Sequence, residues 1–453
     1  MVSLLQNIEG MSEFLKAISH PKRIYIMTLL LEKPLDFSQF LLQTGLKKTA
    51  LANNLTILIE AKLIERFERG VYRITQDGKE LLNAITDVYA KAKIREDQKR
   101  KAIQRRYSQG WLKNMKTKII SNPATWEPAW ISYLGAVLGV LKSYGKNENY
   151  ASVGGYTGYI FALPNVLSRG TCPSGPTALG DDVWNTIEKS TEFLGYSVHT
   201  FNDNGSLPSE EGKLSEEDIK RAKKLYSFTK RAIDDNQPVI MWGLNTPEFG
   251  ICNGYTNGSY LVSTYRSNIG QPEIPIPYDS LQAPGGLKAI LLKEELTPIS
   301  EKDDKETVMR AIRFAEGNTV DISHLNNTYI SGADAFDKWA DLLENNVSED
   351  HPYHGNSYVG ACTLEAAQLA SIFLKQLSEK FEGTTQAMFL KEASEEYKKV
   401  ITPLDKFTKI FPFAFEGDMA QEKRVKGAEL LRSAKNPFTN ALNFLKKANN
   451  NWE

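Results

Sequence analysis

Cysteine is scarce in this chain of 453 residues: Cys172, Cys252 and Cys362 lie far apart, and no CxxC pair exists. That excludes a disulfide framework and a cysteine-rich zinc site. Histidine is scarce too, with 5 residues. Net charge is absent, since 55 Lys and Arg balance 55 Asp and Glu. A polyanion binder by bulk charge is therefore excluded, and any nucleic-acid site must be a local patch. Long apolar runs are missing as well. The longest, AWISYLGAVLGVL at 129–141, is too short to span a bilayer and reads as a buried helix. No basic start with an apolar stretch and cleavage site is evident, so a cytoplasmic protein without a membrane partner is expected. What is present is ordinary for globular protein: 41% hydrophobic and 24% charged residues, at a length that suggests two or three domains.

The first hundred residues divide cleanly. Pro21 begins a helix, Asp36 and Ser38 open another, and Gly45 ends it. Lys47 to Ala61 form the next helix, with Leu51, Leu55, Leu58 and Ile59 on one face. LIERFERGVYRIT then reads as two strands joined at Arg69-Gly70. Lys47, Lys48, Thr49, Asn53, Asn54 and Thr56 occupy the polar side of the Lys47–Ala61 helix. Cations suit phosphates there, and amides suit base edges. Arg66, Arg69 and Arg73 on the hairpin can reach phosphates or a minor groove. A helical stripe of Leu81, Ile85, Val88 and Ala92 runs through 76–106, followed by the basic KAKIREDQKRKAIQRRY. This basic stretch is either a solvated face or a further contact with DNA flanks.

HPKRIYIMTLL, GLKKTALANNLTILIEAKLIER and GVYRITQDGKELL resemble the winged helix-turn-helix domain of ArsR-type transcriptional regulators, notably archaeal ones, over most of residues 10–90. The resemblance implies double-stranded DNA as partner and a homodimer paired through the 76–106 helix. Many such regulators sense metals. Here the domain has no cysteine and only His20, and His351 and His354 stand elsewhere as HxxH without a third partner. No metal and no cofactor are expected.

Residues 107–125, with Gly110, Asn122 and Pro123, read as a linker. Beyond it come an apolar helix over Ser132–Tyr144, the Gly- and aromatic-rich SVGGYTGYIFALPN, and a loop, helix and strand in TCPSGPTALGDDVWNTIEKSTEFLGYSVHTF. A helix from Ser215 to Asp235, the buried strand QPVIMWGL and the hairpin EFGICNGYTNGSYLV follow, the last turning at Thr256-Asn257-Gly258.

PVIMWGL and EFGICNGYTNGSYLVSTY, placed after a buried N-terminal helix and a helical middle, resemble a papain-like fold over about residues 125–295. More narrowly, they resemble the C39-like and butirosin-biosynthesis acyltransferase N-terminal group. Active members need a cysteine, a histidine base and an orienting Asp or Asn. By this resemblance the cysteine position falls at Ser132, the histidine position at Glu248 and the orienting position near Ser263 or Thr264. A serine without a histidine or lysine is a poor nucleophile, so no catalytic residue is assigned. Glu248 is read either as a binding carboxylate, with Trp242, Tyr255 and Tyr265 lining a pocket for a cationic or amine ligand, or as the cap of an exposed turn. Cys172, in the loop GTCPSGPT, is either a reactive thiol or a small residue packed inward. Cys252 and Cys362 read as inert.

Residues 300–453 read as helical, with DKETVMRAIRFAEG capped by Asp303 or Asp304 and LEAAQLASIFLKQLSEK carrying a core stripe. NPFTNALNFLKKANNNWE reads as a final helix that frays. The expected architecture is multidomain α+β: a winged helix over 1–106, a linker over 107–125, a papain-like domain over 126–298 and a helical domain over 299–453. The expected function is a DNA-binding regulator whose degenerate papain-like domain binds a small molecule or peptide. The alternative is a cysteine or serine amidase or acyltransferase, using Ser132 or Cys172, with His199 as the one substitute base.

Overall fold

A computed structural model of the chain describes residues 14–68, 70–86, 117–209, 213–244, 246–296, 300–322, 327–346 and 352–452. The protein is mixed helix and sheet and falls into two compact units, Met1–Trp111 and Leu112–Glu453. Arg69, His351, and the expected pairing helix and basic stretch beyond residue 86 lie outside the described residues.

In the first unit, α1 (Pro21–Glu32) starts on a proline, with His20 accepting the Lys22 N–H. β1 (Leu35–Asp36) leads into α2 (Phe37–Thr44), which opens with a capping box between Asp36 and Gln39. Gly45, at φ 65°, ends α2 in the left-handed region. α3 (Lys48–Glu60) follows, then the hairpin of β2 (Ile64–Glu68) and β3 (Val71–Ile74). The three short strands form one antiparallel sheet in the order β1-β3-β2. Leu51, Leu55 and Leu58 from α3 enter a core with Ile26, Met27, Phe40 and Leu63. The 3.6-residue spacing read from the sequence is what points those three leucines inward together.

The second unit is built on a seven-stranded antiparallel sheet in the order β10-β9-β8-β7-β11-β6. Its strands are β6 (Tyr196–Asp203), β7 (Val239–Trp242), β8 (Phe249–Thr256), β9 (Ser259–Ser263), β10 (Ile276–Pro277) and β11 (Leu287–Glu295). The seventh, β4 (Lys118–Ile119), pairs with β8 at Tyr255 and Gly254. Two residues of the expected linker are thus an integral strand. α4 (Ser132–Ser143) packs on one side of β8, and α7 (Glu216–Asp234), capped by Ser215, also packs on that strand. This cover explains why β8 is buried at nearly every position instead of alternating. Asn257 and Gly258 take φ 46° and 76° at the β8–β9 turn, the pair of positive angles a two-residue hairpin needs.

α5 (Tyr150–Thr157), β5 (Asn165–Leu167) and α6 (Asp181–Ser190) precede β6. After the sheet come α8 (Glu301–Glu316), a hairpin of β12 (Thr319–Ile322) and β13 (Asn327–Ser331), and α9 (Ala333–Glu344). The long helices α10 (Pro352–Lys380), α11 (Thr385–Ile410) and α12 (Gln421–Asn450) end the chain. The hairpin was not anticipated in a stretch read as helical. It completes a second small sheet, β12-β13-β5, with a strand from the middle of the chain. α10 packs on α5 as well as on α11. The sheet and the C-terminal helices are accordingly one compact unit, although the sequence suggested a boundary near residue 298.

Two terminal details also depart from expectation. Ser300, not Asp303 or Asp304, caps α8, with Asp303 as its reciprocal partner. Asp304 is buried, accepting from Tyr156 Oη at 3.1 Å and Lys380 Nζ at 2.5 Å. The last helix does not fray: Trp452 is buried against Phe381, ring centroids 4.9 Å apart, and its carbonyl accepts from Lys305 Nζ at 2.9 Å. Among the described helices, α10 alone is long and apolar enough to cross a membrane, and 67% of its apolar window is buried inside the protein.

Candidate functional site

The N-terminus of α4 is where the second unit gathers its polar chemistry. Gly135 and Gly139 sit one turn apart on this helix, and the chain at 125–127 crosses directly over them. A Cβ at Gly139 would lie 2.0 Å from the Thr125 carbonyl oxygen, and one at Gly135 would lie 2.2 Å from that of Glu127. Only glycine permits that approach. Trp126 Nε1 reaches back to the Ser132 carbonyl at 3.1 Å, which fixes the first turn of the helix. Ser132 Oγ then accepts the backbone N–H of Phe249, at the start of β8, at 3.0 Å. Ser132 and Glu248, paired above through resemblance, are therefore neighbours.

α10 closes the site from the opposite side. Its start is held by Asn356, which accepts from Trp339 Nε1 at 2.7 Å and donates to Thr171 Oγ1 at 2.7 Å. Gly355 lets the helix lie against the Thr171 backbone, where a Cβ would come within 2.4 Å of the carbonyl oxygen. His354, Tyr358, Cys362 and Glu365 fall at steps of four, four and three residues, so they share one face. Tyr358 Oη donates to Glu248 Oε1 at 2.6 Å. Glu365 accepts the backbone N–H of Trp130 at 3.0 Å and of Ile131 at 2.7 Å. A carboxylate is well placed at this helix start, where unpaired N–H groups and the helix dipole both favour negative charge.

Between these elements lies a cavity of about 980 Å³. Nine Trp, Tyr and Phe side chains line it, among them Trp130, Trp184, Trp242, Phe249 and Phe413. Such an apolar lining with a few polar groups is the usual composition of a small-molecule pocket. The rim is aromatic too: Trp130 packs on Phe413 with centroids 4.9 Å apart, and His354 on Phe415 at 4.6 Å. His354 Nδ1 lies 3.2 Å from the Ala414 carbonyl oxygen. Lys288 enters from β11, bound to Glu188 at 2.8 Å.

The electrostatics are dominated by burial. Burial raises the Glu248 carboxyl above the ordinary carboxylate range, against a smaller lowering by the Ser132 and Tyr358 hydroxyls. Its Oε2 atom has no access to water and no hydrogen-bond partner. Glu365 is raised by burial as well, opposed by the two backbone N–H groups it accepts. The Tyr358 phenol and the Cys362 thiol lie far above their usual values, by burial first and by the neighbouring negative charges next. A thiol held that way is a poor nucleophile.

Four of the six residues proposed for the site from sequence line this cavity: Ser132, Trp242, Glu248 and Tyr265. Tyr255 does not. It lies farther along β8, donates to Asp234 Oδ1 at 2.7 Å and has Lys230 Nζ 4.8 Å above its ring. The strand's length carries it away from Glu248, seven residues earlier. Cys172 is not in the lining either, although Pro173 and Ser174 are. It is half-buried beside Leu167 and Ala178, and its sulfur accepts the Ser174 N–H at 3.4 Å. His199 is exposed on β6, outside the cavity. Glu248 is not an exposed turn cap. The α10 residues escaped notice; the polar HxxxYxxxCxxE spacing on an otherwise apolar helix was the available signal.

No family model and no curated protein matches the chain. Among solved structures, the crystal structure of M. tuberculosis Rv0081 is similar over 20% of this chain and 95% of that one, at 29% identity and a TM-score of 0.18.

In the first unit, Lys47, Lys48, Thr49, Asn53 and Thr56 are exposed on α3. Asn54 is half-buried and donates to the Ala50 carbonyl at 2.7 Å, which turns it away from that row. Arg66 is exposed on β2. Arg73 is exposed but pairs with Glu65 at 2.5 Å and stacks over Phe67 at 4.4 Å. Among the described residues, no group of three or more His, Cys, Asp or Glu side chains is placed to hold a metal ion.

Proposed function

We propose that the chain is a DNA-binding transcriptional regulator: an ArsR-type winged helix that acts as a homodimer, joined to a papain-like domain that lacks a working triad and senses a small molecule. One observation carries the reading. α3 is anchored by Leu51, Leu55 and Leu58 on one side and presents Lys47, Lys48, Thr49, Asn53 and Thr56 to solvent on the other. Exposed cations and amides on a short helix that follows a tight turn are the groups that meet phosphates and base edges in a major groove. The β2–β3 hairpin with exposed Arg66 supports the same surface.

The large aromatic cavity supports a sensing role. A ligand changes DNA affinity only if it binds one arrangement of the recognition helices better than another. The test is a mobility shift of the purified protein on its own promoter region, repeated across salt. The expected result is a discrete complex that weakens steeply as salt rises. Absence of a specific complex at low salt refutes the regulator reading.

A second reading, an amidase or acyltransferase, draws on His354, which lines the same cavity as Ser132. Hydrolysis of simple amides that is lost in both Ser132→Ala and His354→Ala would support it over the first.

A further inference from the structure

The cavity's charges are lopsided. Asp181, Glu248 and Glu365 contribute three carboxylates to its lining, and Lys288 is the one Lys or Arg. That lysine is already bound to Glu188 at 2.8 Å. Glu365 is also spoken for, with one oxygen on each of two backbone N–H groups. Glu248 differs. Tyr358 donates to Oε1, while Oε2 is buried and, with only the Ser132 hydroxyl near the carboxylate, has no donor at good hydrogen-bond geometry. A buried acceptor left this way costs free energy unless a donor is supplied.

The aromatic walls agree with the charge. Trp242 and Trp184 both pack on Phe249, at 5.0 Å and 5.3 Å between centroids, so three ring systems line the cavity as one cluster together with Glu248. Ring faces carry partial negative charge and attract cations, most of all where water is excluded. A neutral ligand could donate to the Glu248 carboxylate but would leave its charge uncompensated. An anionic one would meet three carboxylates.

We infer that the cavity binds an amphipathic primary amine, with its ammonium group donating to the Glu248 carboxylate and its apolar body against the Trp184, Trp242 and Phe249 rings. This rests on the ligand-sensor reading and names the chemical class of the ligand. The ammonium supplies a charged donor to this carboxylate, and its charge favours the ionised form. Tyr358, donating to Oε1, holds the carboxylate in place. A volume of about 980 Å³ leaves room for a body larger than a single ring.

The experiment is calorimetric titration of the full chain, without DNA, with matched amine and alcohol pairs: tryptamine against tryptophol, phenethylamine against phenylethanol, decylamine against decanol. The amine of at least one pair is expected to bind roughly 10- to 100-fold more tightly than its alcohol, the value of one charge-assisted hydrogen bond. Glu248→Gln should abolish that preference while leaving the alcohol unchanged. Equal affinity within every pair, absence of binding by all three amines, or an amine preference that survives in Glu248→Gln each overturns the inference. The wild-type comparison stands even if the variant fails to fold. Because no DNA is present, failure here leaves a positive mobility shift intact, and a failed mobility shift leaves an amine preference intact.

Discussion

Glu248→Gln should make the protein more stable at neutral pH. Burial raises the Glu248 carboxyl, so the folded protein holds its proton more tightly than the unfolded chain does. The stability associated with that proton is fully present below the unfolded value. It is lost as pH rises through the folded value, and above that value the ionised group is a net cost. The geometry sets the size. Glutamine keeps an oxygen for the Tyr358 hydroxyl, now 2.6 Å from Oε1, so the existing hydrogen bond survives. The amide nitrogen replaces the partnerless Oε2. The Ser132 hydroxyl accepts one bond from the Phe249 N–H at 3.0 Å, and by turning its own O–H away from the side chain at 248 it has a second lone pair to receive the amide. Relief of one unpaired buried acceptor is worth about 1–3 kcal/mol, and the rearranged amide returns part of it, so a net gain of about 1 kcal/mol is expected. In a unit of this size that corresponds to a rise in Tm of about 2 °C. The assay is thermal unfolding of both proteins by calorimetry from pH 5 to pH 8. The advantage of the variant should shrink as pH falls and the wild-type carboxyl takes up its proton. A variant less stable at neutral pH, or an advantage that does not change with pH, would refute the reasoning. The outcome also bears on function, since a group that costs stability is one a binding site retains for its ligand.

Three other changes probe separate parts of the chain. Gly139→Ala places a methyl 2.0 Å from the Thr125 carbonyl oxygen and 2.9 Å from Ile251 Cδ1. Its helix-propensity gain of about 1 kcal/mol should be outweighed by overpacking of about 3 kcal/mol, seen as a lower denaturant midpoint. Glu365→Ala leaves the Trp130 and Ile131 N–H groups without their acceptors, so destabilisation of about 2 kcal/mol or more is expected by the same measurement. Lys48→Ala should weaken binding to specific and unrelated DNA alike and reduce the slope of log affinity against log salt by about 1. An unchanged slope would remove Lys48 from the DNA surface.

The sequence by itself determined the local elements. Pro21, the Asp36–Gln39 box and Gly45 mark helix ends, because capping and positive φ depend on residues only a few positions apart. The leucine spacing in α3 and the Asn257-Gly258 turn were legible for the same reason. The neighbourhood of Ser132 and Glu248 was legible only through a resemblance, since 116 positions separate them and no local rule joins them. Tertiary structure decided the rest. It moved Tyr255 and Cys172 out of the cavity, because strand length and an inward loop set where each side chain points. It drew Lys118 and Ile119 from an expected linker into the sheet by pairing with β8. Above all, it laid the His354–Glu365 face of α10 over the start of α4. The donor to Glu248 and the acceptor for the α4 N-terminus thus come from a helix more than a hundred residues downstream. Helical periodicity specifies which residues share a face, but the partner of that face is chosen by the packing of the whole chain.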